Sequence, residues 1–531
     1  MERVAIIGAG ASGLTSIKQC LEEGFEDIVC FEQNEFIGGL WHYTEIDDTN
    51  NDPHSSIYRS TIINTSRQIM SYSDFPVPEN WPVFLPNQMV ARYFDMYAEH
   101  FELIQYIRFK TKVTQLEQLS DERWKIHYIQ NGSEEKAEIF DYVMIASGHH
   151  RVPRWPNFEG MEQYEGRQMH SHFYRLPYTF EGKSVLVVGI GNSGVDISTE
   201  LSLHAKQVYL SSRRGTWVTP RILLGKPIGH QINRFTTSLI PRNIMSSFME
   251  KLLETIQPIP PGPLRPKHGY YAAHPTIKSD LIEHVHAGRI IPKPNVRRFL
   301  RTRSIQFDDG TVVDDIDVVI YCTGYHIRFG FLKEEVLTAD RPDVDLEQNQ
   351  VWLWRNMYPL HHKNLVFIGL IQPLTAIMPI SELQARYATN VWKKRAWVRP
   401  PPDKEHMNRD IQAYLNDQQQ LYALSPRHTI QLQNALGYMD LFAKDLGCYP
   451  YLKDLVAEYG IRDSFRLLLL LYFGLPVSTQ YRLVGHGKWR EARVVLEKYW
   501  QSDGMSKTLL DEASISNTMR EWWDSGNANS R

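Results

Sequence analysis

The chain has 531 residues, 42% hydrophobic and 22% charged, with a formal net charge of −3 at pH 7. It is too long for one ordinary core, so two or three domains are expected, and its apolar content excludes a disordered or fibrous chain. The charge balance gives no electrostatic basis for nucleic acid or an acidic membrane as the main partner, and four well-separated cysteines (Cys20, Cys30, Cys322, Cys448) argue against a disulfide framework, a zinc finger or a CxxC redox pair.

The chain opens directly on a strand-like run, Val4-Ala5-Ile6-Ile7, so no leader is expected. Residues 3–7 read as a strand, Gly8-Ala9-Gly10-Ala11-Ser12-Gly13 as a turn, 14–23 as a helix and 28–32 as a second strand. A GxGxxG string between a buried strand and a helix is a dinucleotide fingerprint. Its glycines permit the tight turn, the close approach of pyrophosphate and the packing of helix on strand, while the helix start supplies free amides and a positive dipole end. Glu32 follows 19 residues after Gly13. A carboxylate there accepts hydrogen bonds from the adenosine ribose and repels a 2′-phosphate, which suits FAD or NAD.

Residues 141–148 form a strand run ending in a small-residue corner, Ala146-Ser147-Gly148. The strand–turn–helix order then recurs: 184–188, Gly189-Ile190-Gly191-Asn192-Ser193-Gly194, and 195–204, followed by a strand at 207–212. Here Arg213 stands 19 residues after Gly194, with Arg214 beside it. Two guanidinium groups in place of an acid suit the 2′-phosphate of NADPH. Residues 216–275, which contain Pro258-Ile259-Pro260-Pro261-Gly262-Pro263, are too long for a crossover and read as an insertion, partly helical at 244–256. A second strand-and-corner run follows at 317–324. The histidine pairs His149-His150, His284-x-His286 and His361-His362 lack a recognisable metal-ligand set and read as surface or core imidazoles. Leu467 to Phe473 is far shorter than the roughly 20 residues of a spanning helix and reads as a buried or interfacial helix, its Leu467–Leu471 stripe as core. The stretch from Glu521 onward is polar.

The simplest architecture is α/β, with an FAD domain interrupted by an NADPH domain, both Rossmann-like. Residues 1–150 and about 325–445 form the first, and about 165–320 the second, with the insertion inside it; about 446–531 form a helical C-terminal region.

The sequence resembles the eukaryotic flavin-containing monooxygenases along nearly its whole length. The match rests on the two fingerprints, Gly38-Gly39-Leu40-Trp41 and Asn64-Thr65-Ser66. The family's aromatic-x-Gly-x-x-x-His-x-x-x-Tyr motif is present as Tyr164, Gly166, His170 and Tyr174, with Tyr164 where Phe is usual. Cys322-Thr323-Gly324-Tyr325, Gly369-Leu370-Ile371-Gln372 and Tyr481 through Trp489 match as well. The hydrophobic tail that anchors many vertebrate relatives is missing from the sequence.

The resemblance implies an enzyme in which NADPH reduces FAD, the flavin captures O2 as a hydroperoxide, and a soft sulfur or nitrogen atom of a small molecule takes the distal oxygen. NADP+ stays bound and shields that intermediate, so no side-chain triad is required. It also implies that Asn64 is the catalytic residue, touching flavin and nicotinamide with an amide that neither Asp nor Ala could replace. Thr65 then contacts flavin, Ile63 the nicotinamide side, and Leu40 and Trp41 wrap the flavin. Ser193, Gly194 and Asp196 line the NADPH pyrophosphate, with Asn192 and Val195 beside them. Asp196 reads equally as a first-turn residue favoured by the helix dipole. His170 and Tyr174 read as hinge and packing residues. Ketone oxidation of the Baeyer–Villiger type and a non-catalytic NADPH or flavin sensor are the alternatives. A flavin disulfide reductase would need a Cys pair that the sequence lacks. The expected location is cytoplasmic, or peripheral on the endoplasmic reticulum membrane.

Overall fold

The computed structural model describes residues 2–46, 53–422 and 429–501; the polar stretch from Glu521 lies outside them. Two five-stranded parallel sheets organise the chain. In the first, the order is Leu365–Phe367, Tyr142–Ile145, Arg3–Ile7, Asp27–Phe31 and Ile107–Arg108. In the second it is Ile290–Lys293, Gln207–Ser211, Ser184–Val188, Val318–Tyr321 and Arg167–His170. Each fingerprint strand sits at the centre of its sheet, buried on both faces, which is why Val4–Ile7 and Val185–Val188 are continuous apolar runs rather than alternating ones.

The chain leaves the first sheet after Tyr142–Ile145, builds the second, and returns to the first through Leu365–Phe367. The helix Met378–Trp392 then packs against the helix Ala11–Glu22 in one apolar core with Leu14, Ile17, Leu383 and Tyr387. An antiparallel meander, Thr111–Gln118, Trp124–Gln130 and Lys136–Phe140, falls in chain order between Ile107–Arg108 and Tyr142–Ile145 and carries none of the sequence motifs.

Three expectations shift. Both fingerprint helices begin inside the glycine motif, at Ala11 and at Asn192, rather than after it. The phosphate-binding amides are those of the first helical turn, so the turn and the helix overlap. The Tyr164–Tyr174 motif, whose His170 and Tyr174 read as hinge and packing residues, also builds regular structure, because Arg167–His170 forms the edge strand of the second sheet. The stripe at 467–471 is amphipathic rather than fully buried: Leu467, Leu470 and Leu471 are buried, while Leu469 is 57% exposed. The insertion holds a helix at Arg242–Ile256, as expected, and a hairpin pairing Ile222–Leu223 with Lys226–Pro227. Among the described residues no helix is long and apolar enough to cross a membrane.

Candidate functional site

At the first fingerprint, Gly8 has φ +100°, and a Cβ there would meet the Ala146 carbonyl oxygen at 2.9 Å. A Cβ on Gly13 would lie 1.8 Å from the Gly8 carbonyl oxygen, so the helix can approach the strand this closely only without a side chain. Gly10 begins the helix Ala11–Glu22 with no side-chain cap, which leaves the first-turn amides of Ala11, Ser12 and Gly13 facing outward. Gly38 donates its N–H to the Ala9 carbonyl at 3.0 Å. A Cβ on Gly39 would come within 3.0 Å of the Gly10 Cα, so this second glycine pair lies directly against the turn. Leu40 and Trp41 continue it in a single 3₁₀ turn, Gly39–Trp41.

Glu32 is buried at the end of its strand. One carboxylate oxygen accepts from the Ala9 amide at 2.8 Å, and the other accepts from both the backbone N–H and the side-chain amide of Asn34, each at 2.8 Å. Burial pushes its pKa up and outweighs these donors. The acid is thus fixed against the turn, where a ribose would lie.

The second fingerprint repeats the sterics. Gly189 has φ +111°, its Cβ would meet the Cys322 carbonyl oxygen at 2.4 Å, and a Cβ on Gly194 would meet the Gly189 oxygen at 2.0 Å. Gly191 faces open space and begins its helix without a side-chain cap, with Ser193 exposed beside it. Val195 is core. Asn192 is engaged: its Oδ1 accepts from the Ile277 amide at 2.9 Å. Asp196 accepts from the Tyr58 hydroxyl at 2.7 Å and pairs with Lys278 at 3.1 Å, so it joins the flavin-side loop to the nucleotide helix.

Arg213 and Arg214 are exposed at the end of Gln207–Ser211. Burial, together with the positive charge of Arg213 nearby, lowers the pKa of Arg154, which adds a third guanidinium to this corner. Replacing both Arg213 and Arg214 by Ser should raise the KM for NADPH about 100-fold or more while leaving that for NADH nearly unchanged, because each charge-assisted bond to a 2′-phosphate is worth about 1.5–3 kcal/mol. Steady-state kinetics with both nucleotides checks this; an unaltered NADPH preference would remove these arginines from the site.

The loop from Ile63 to Ser66 lies between the two halves. Ile63 is buried and donates its N–H to the Leu85 carbonyl at 3.0 Å. Asn64 Oδ1 accepts from Arg221 Nε at 3.1 Å. Ser66 Oγ is 2.7 Å from His230 Nε2. Thr65 Oγ1 is buried and has no hydrogen-bond partner among the described residues. A buried hydroxyl without a partner costs free energy unless a bound group supplies one, and this hydroxyl sits where the resemblance expects flavin. The residues therefore fit FAD at the first turn and NADPH at the second.

The motif residues are structural. The Tyr164 hydroxyl donates to the Ile316 carbonyl at 2.6 Å, and that of Tyr174 to Glu200 at 2.7 Å; His170 is fully buried. Sequence reading missed Tyr58, Arg154, Arg221, His230 and Lys278. Each reaches its partner across the fold, and none stands in a local pattern.

The family model for flavin-binding monooxygenase-like proteins matches residues 1–518. The chain is similar to rat flavin-containing monooxygenase 5, 40% identical over 505 residues that cover 93% of this chain and 90% of that one. It is also similar to rat dimethylaniline monooxygenase [N-oxide-forming] 2, 39% identical over 93% of this chain and 90% of that one. Among solved structures it is similar to the S-allyl-L-cysteine S-oxygenase of Allium sativum, with TM-score 0.62 and 24% identity, covering 84% of this chain and 88% of that one. A structure of OTEMO in complex with FAD and NADP gives TM-score 0.59 at 16% identity, over 87% of this chain and 98% of that one. A family match along almost the whole chain, laid on two nucleotide turns with different ribose-side residues, identifies this protein as a member of the flavin-binding monooxygenase-like family.

Proposed function

We propose that the enzyme oxygenates soft nucleophilic sulfur or nitrogen atoms of small molecules. The reading is carried by the Asn64–Thr65 loop, where the buried Thr65 hydroxyl has no partner among the described residues and Asn64 is bonded to Arg221 of the insertion. The named activities of the relatives, N-oxide formation and S-oxygenation, support it. Bound FAD, reduced by NADPH, supplies the oxygen-activating chemistry. The chain's own residues position and shield. With the cofactors bound, the Asn64 amide nitrogen would donate toward flavin and nicotinamide, and Thr65 would supply a hydroxyl. His230 and Gly229 of the insertion close over Ser66 and Ile69 and keep bulk water out.

A panel of thioether, tertiary amine and ketone with product analysis tests the reading. Sulfoxide or N-oxide is expected; an ester from the ketone, with the heteroatoms untouched, would replace this reading by Baeyer–Villiger oxidation.

The domain division we propose places residues 1–150 and about 325–445 around FAD and about 165–320 around NADPH, with about 446–531 as the C-terminal region. The return of Leu365–Phe367 to the first sheet supports it. We also propose a cytoplasmic protein with peripheral membrane contact. The insertion exposes Phe235, Leu239 and Phe248, the helix before Gly474 exposes Leu469 and Phe473, and the Phe235 and Phe473 rings lie 5.2 Å apart. Such a patch suits an interfacial surface. Flotation with neutral liposomes should carry the protein upward, and F235S/F473S should stay at the bottom; flotation unaffected by these changes would count against it.

A further inference from the structure

We propose that Arg221 is a positioning residue that sets which way the Asn64 amide faces and ties it to the second nucleotide turn. The inference rests on the reading above that Asn64 works at the cofactors. Arg221 Nε lies 3.1 Å from Asn64 Oδ1. A guanidinium is a donor with no acceptor, so it admits only the amide oxygen. The Asn64 nitrogen, with its two N–H groups, is then directed away from Arg221. A flipped amide would set donors against donors.

Arg221 is itself held by a continuous set of hydrogen bonds that begins at the second fingerprint. Thr276 Oγ1 donates to the Ile190 carbonyl at 2.8 Å, and the Ile277 amide donates to Asn192 Oδ1 at 2.9 Å. Thr276–Ile277 pairs in parallel with Val218–Thr219, with Thr276 bonded to the Trp217 carbonyl at 3.0 Å and Lys278 to that of Thr219 at 2.9 Å. Two residues on, the Arg221 amide donates to Ser279 Oγ at 3.3 Å, and its carbonyl accepts from Ile228 at 2.9 Å. The nucleotide turn, the paired strands, Arg221 and Asn64 thus form one chain of contacts. A nucleotide that settles on Gly191 and Asn192 acts on the same backbone that aims the Asn64 amide.

The test measures the NADP+ dissociation constant of the oxidised, FAD-loaded protein from the perturbation of the flavin absorbance, together with peroxide released per NADPH. R221M, R221K, N64A and the double variant R221M/N64A are compared with wild type. Losing a hydrogen bond from a charged group should weaken NADP+ binding about tenfold in R221M and raise peroxide release. R221K, which keeps a donor, should recover most of the loss. R221M/N64A should bind no more weakly than N64A, because Arg221 acts through Asn64. Wild-type binding in R221M, or losses that multiply in the double variant, would overturn the proposal. If N64A alone changes nothing, the reading of Asn64 fails first and the proposal falls with it. FAD content and unfolding midpoint verify folding; if R221M does not retain FAD, R221L, which also lacks a donor, replaces it with the same expectations.

Discussion

Gly13→Ala is expected to yield protein that retains less than about a tenth of its FAD. The added methyl would stand 1.8 Å from the Gly8 carbonyl oxygen, a backbone atom that cannot swing aside. Gly8 cannot yield either, since its own path runs past the Ala146 carbonyl at φ +100°. The helix must therefore move off the strand by more than an ångström, taking its first-turn amides away from the pyrophosphate. Overpacking of a tight contact costs about 1–3 kcal/mol or more before any lost binding is counted. The ratio of flavin to protein absorbance after purification measures the outcome. Gly191→Ala is the contrast, because Gly191 faces open space. That variant should fold, keep its FAD and lose only NADPH affinity. Equal flavin content in Gly13→Ala and wild type would refute the steric account.

Arg482→Ala should lower the unfolding midpoint by about 3–5 °C, from a loss of about 3–5 kcal/mol when a buried charge cluster loses its central cation. The Arg482 side chain is 1% exposed and lies 3.0 Å from Asp74, 3.0 Å from Glu382 and 3.5 Å from Glu22. Its Nε donates to Ser73 Oγ at 2.7 Å, and Ser73 in turn donates to Glu382 at 2.7 Å. Lys18 adds bonds to Asp74 at 2.5 Å and Glu22 at 2.7 Å. This cluster fastens the C-terminal region to the helix that follows the first fingerprint. Burial alone would raise the Asp74 carboxyl, but Arg482 and Lys18 outweigh it and hold the group below its ordinary range. A carboxylate with a depressed folded pKa contributes stability above its unfolded value of about 4, and that contribution is lost as pH falls through the folded value. The gap between wild type and variant should therefore be full at neutral pH and narrow in acid. Thermal scans at pH 7 and at about pH 3, below the unfolded value, check both statements; a gap that widens in acid would contradict them.

The parts legible in the sequence were those with a local cause. A fingerprint is written in consecutive residues because one turn must clear a carbonyl, admit phosphate and seat a helix. Glu32 and Arg213 could be assigned because strand length fixes their distance from the third glycine. Asp196 was open between two roles, and the structure gives it partners that neither role supplied: Tyr58 from 138 residues away and Lys278. Arg221 meets Asn64 across 157 residues, and Arg482 meets Ser73 across 409. Such pairs leave no periodicity or spacing, since their partners are chosen by the packing of distant elements. The helix starts were placed too late for a related reason: a helix whose first turn binds phosphate needs no capping side chain to announce it.

The central claim, that this is an oxygen-using flavin enzyme rather than a nucleotide sensor, is tested most directly by stopped-flow mixing of the NADPH-reduced protein with oxygenated buffer. The account predicts that oxygen is consumed at once while the oxidised-flavin absorbance returns only after a long lag, and that a thioether shortens the lag and leaves as its sulfoxide. Immediate return of that absorbance with one equivalent of peroxide and no oxygenated product, or a flavin that NADPH fails to reduce, would contradict it.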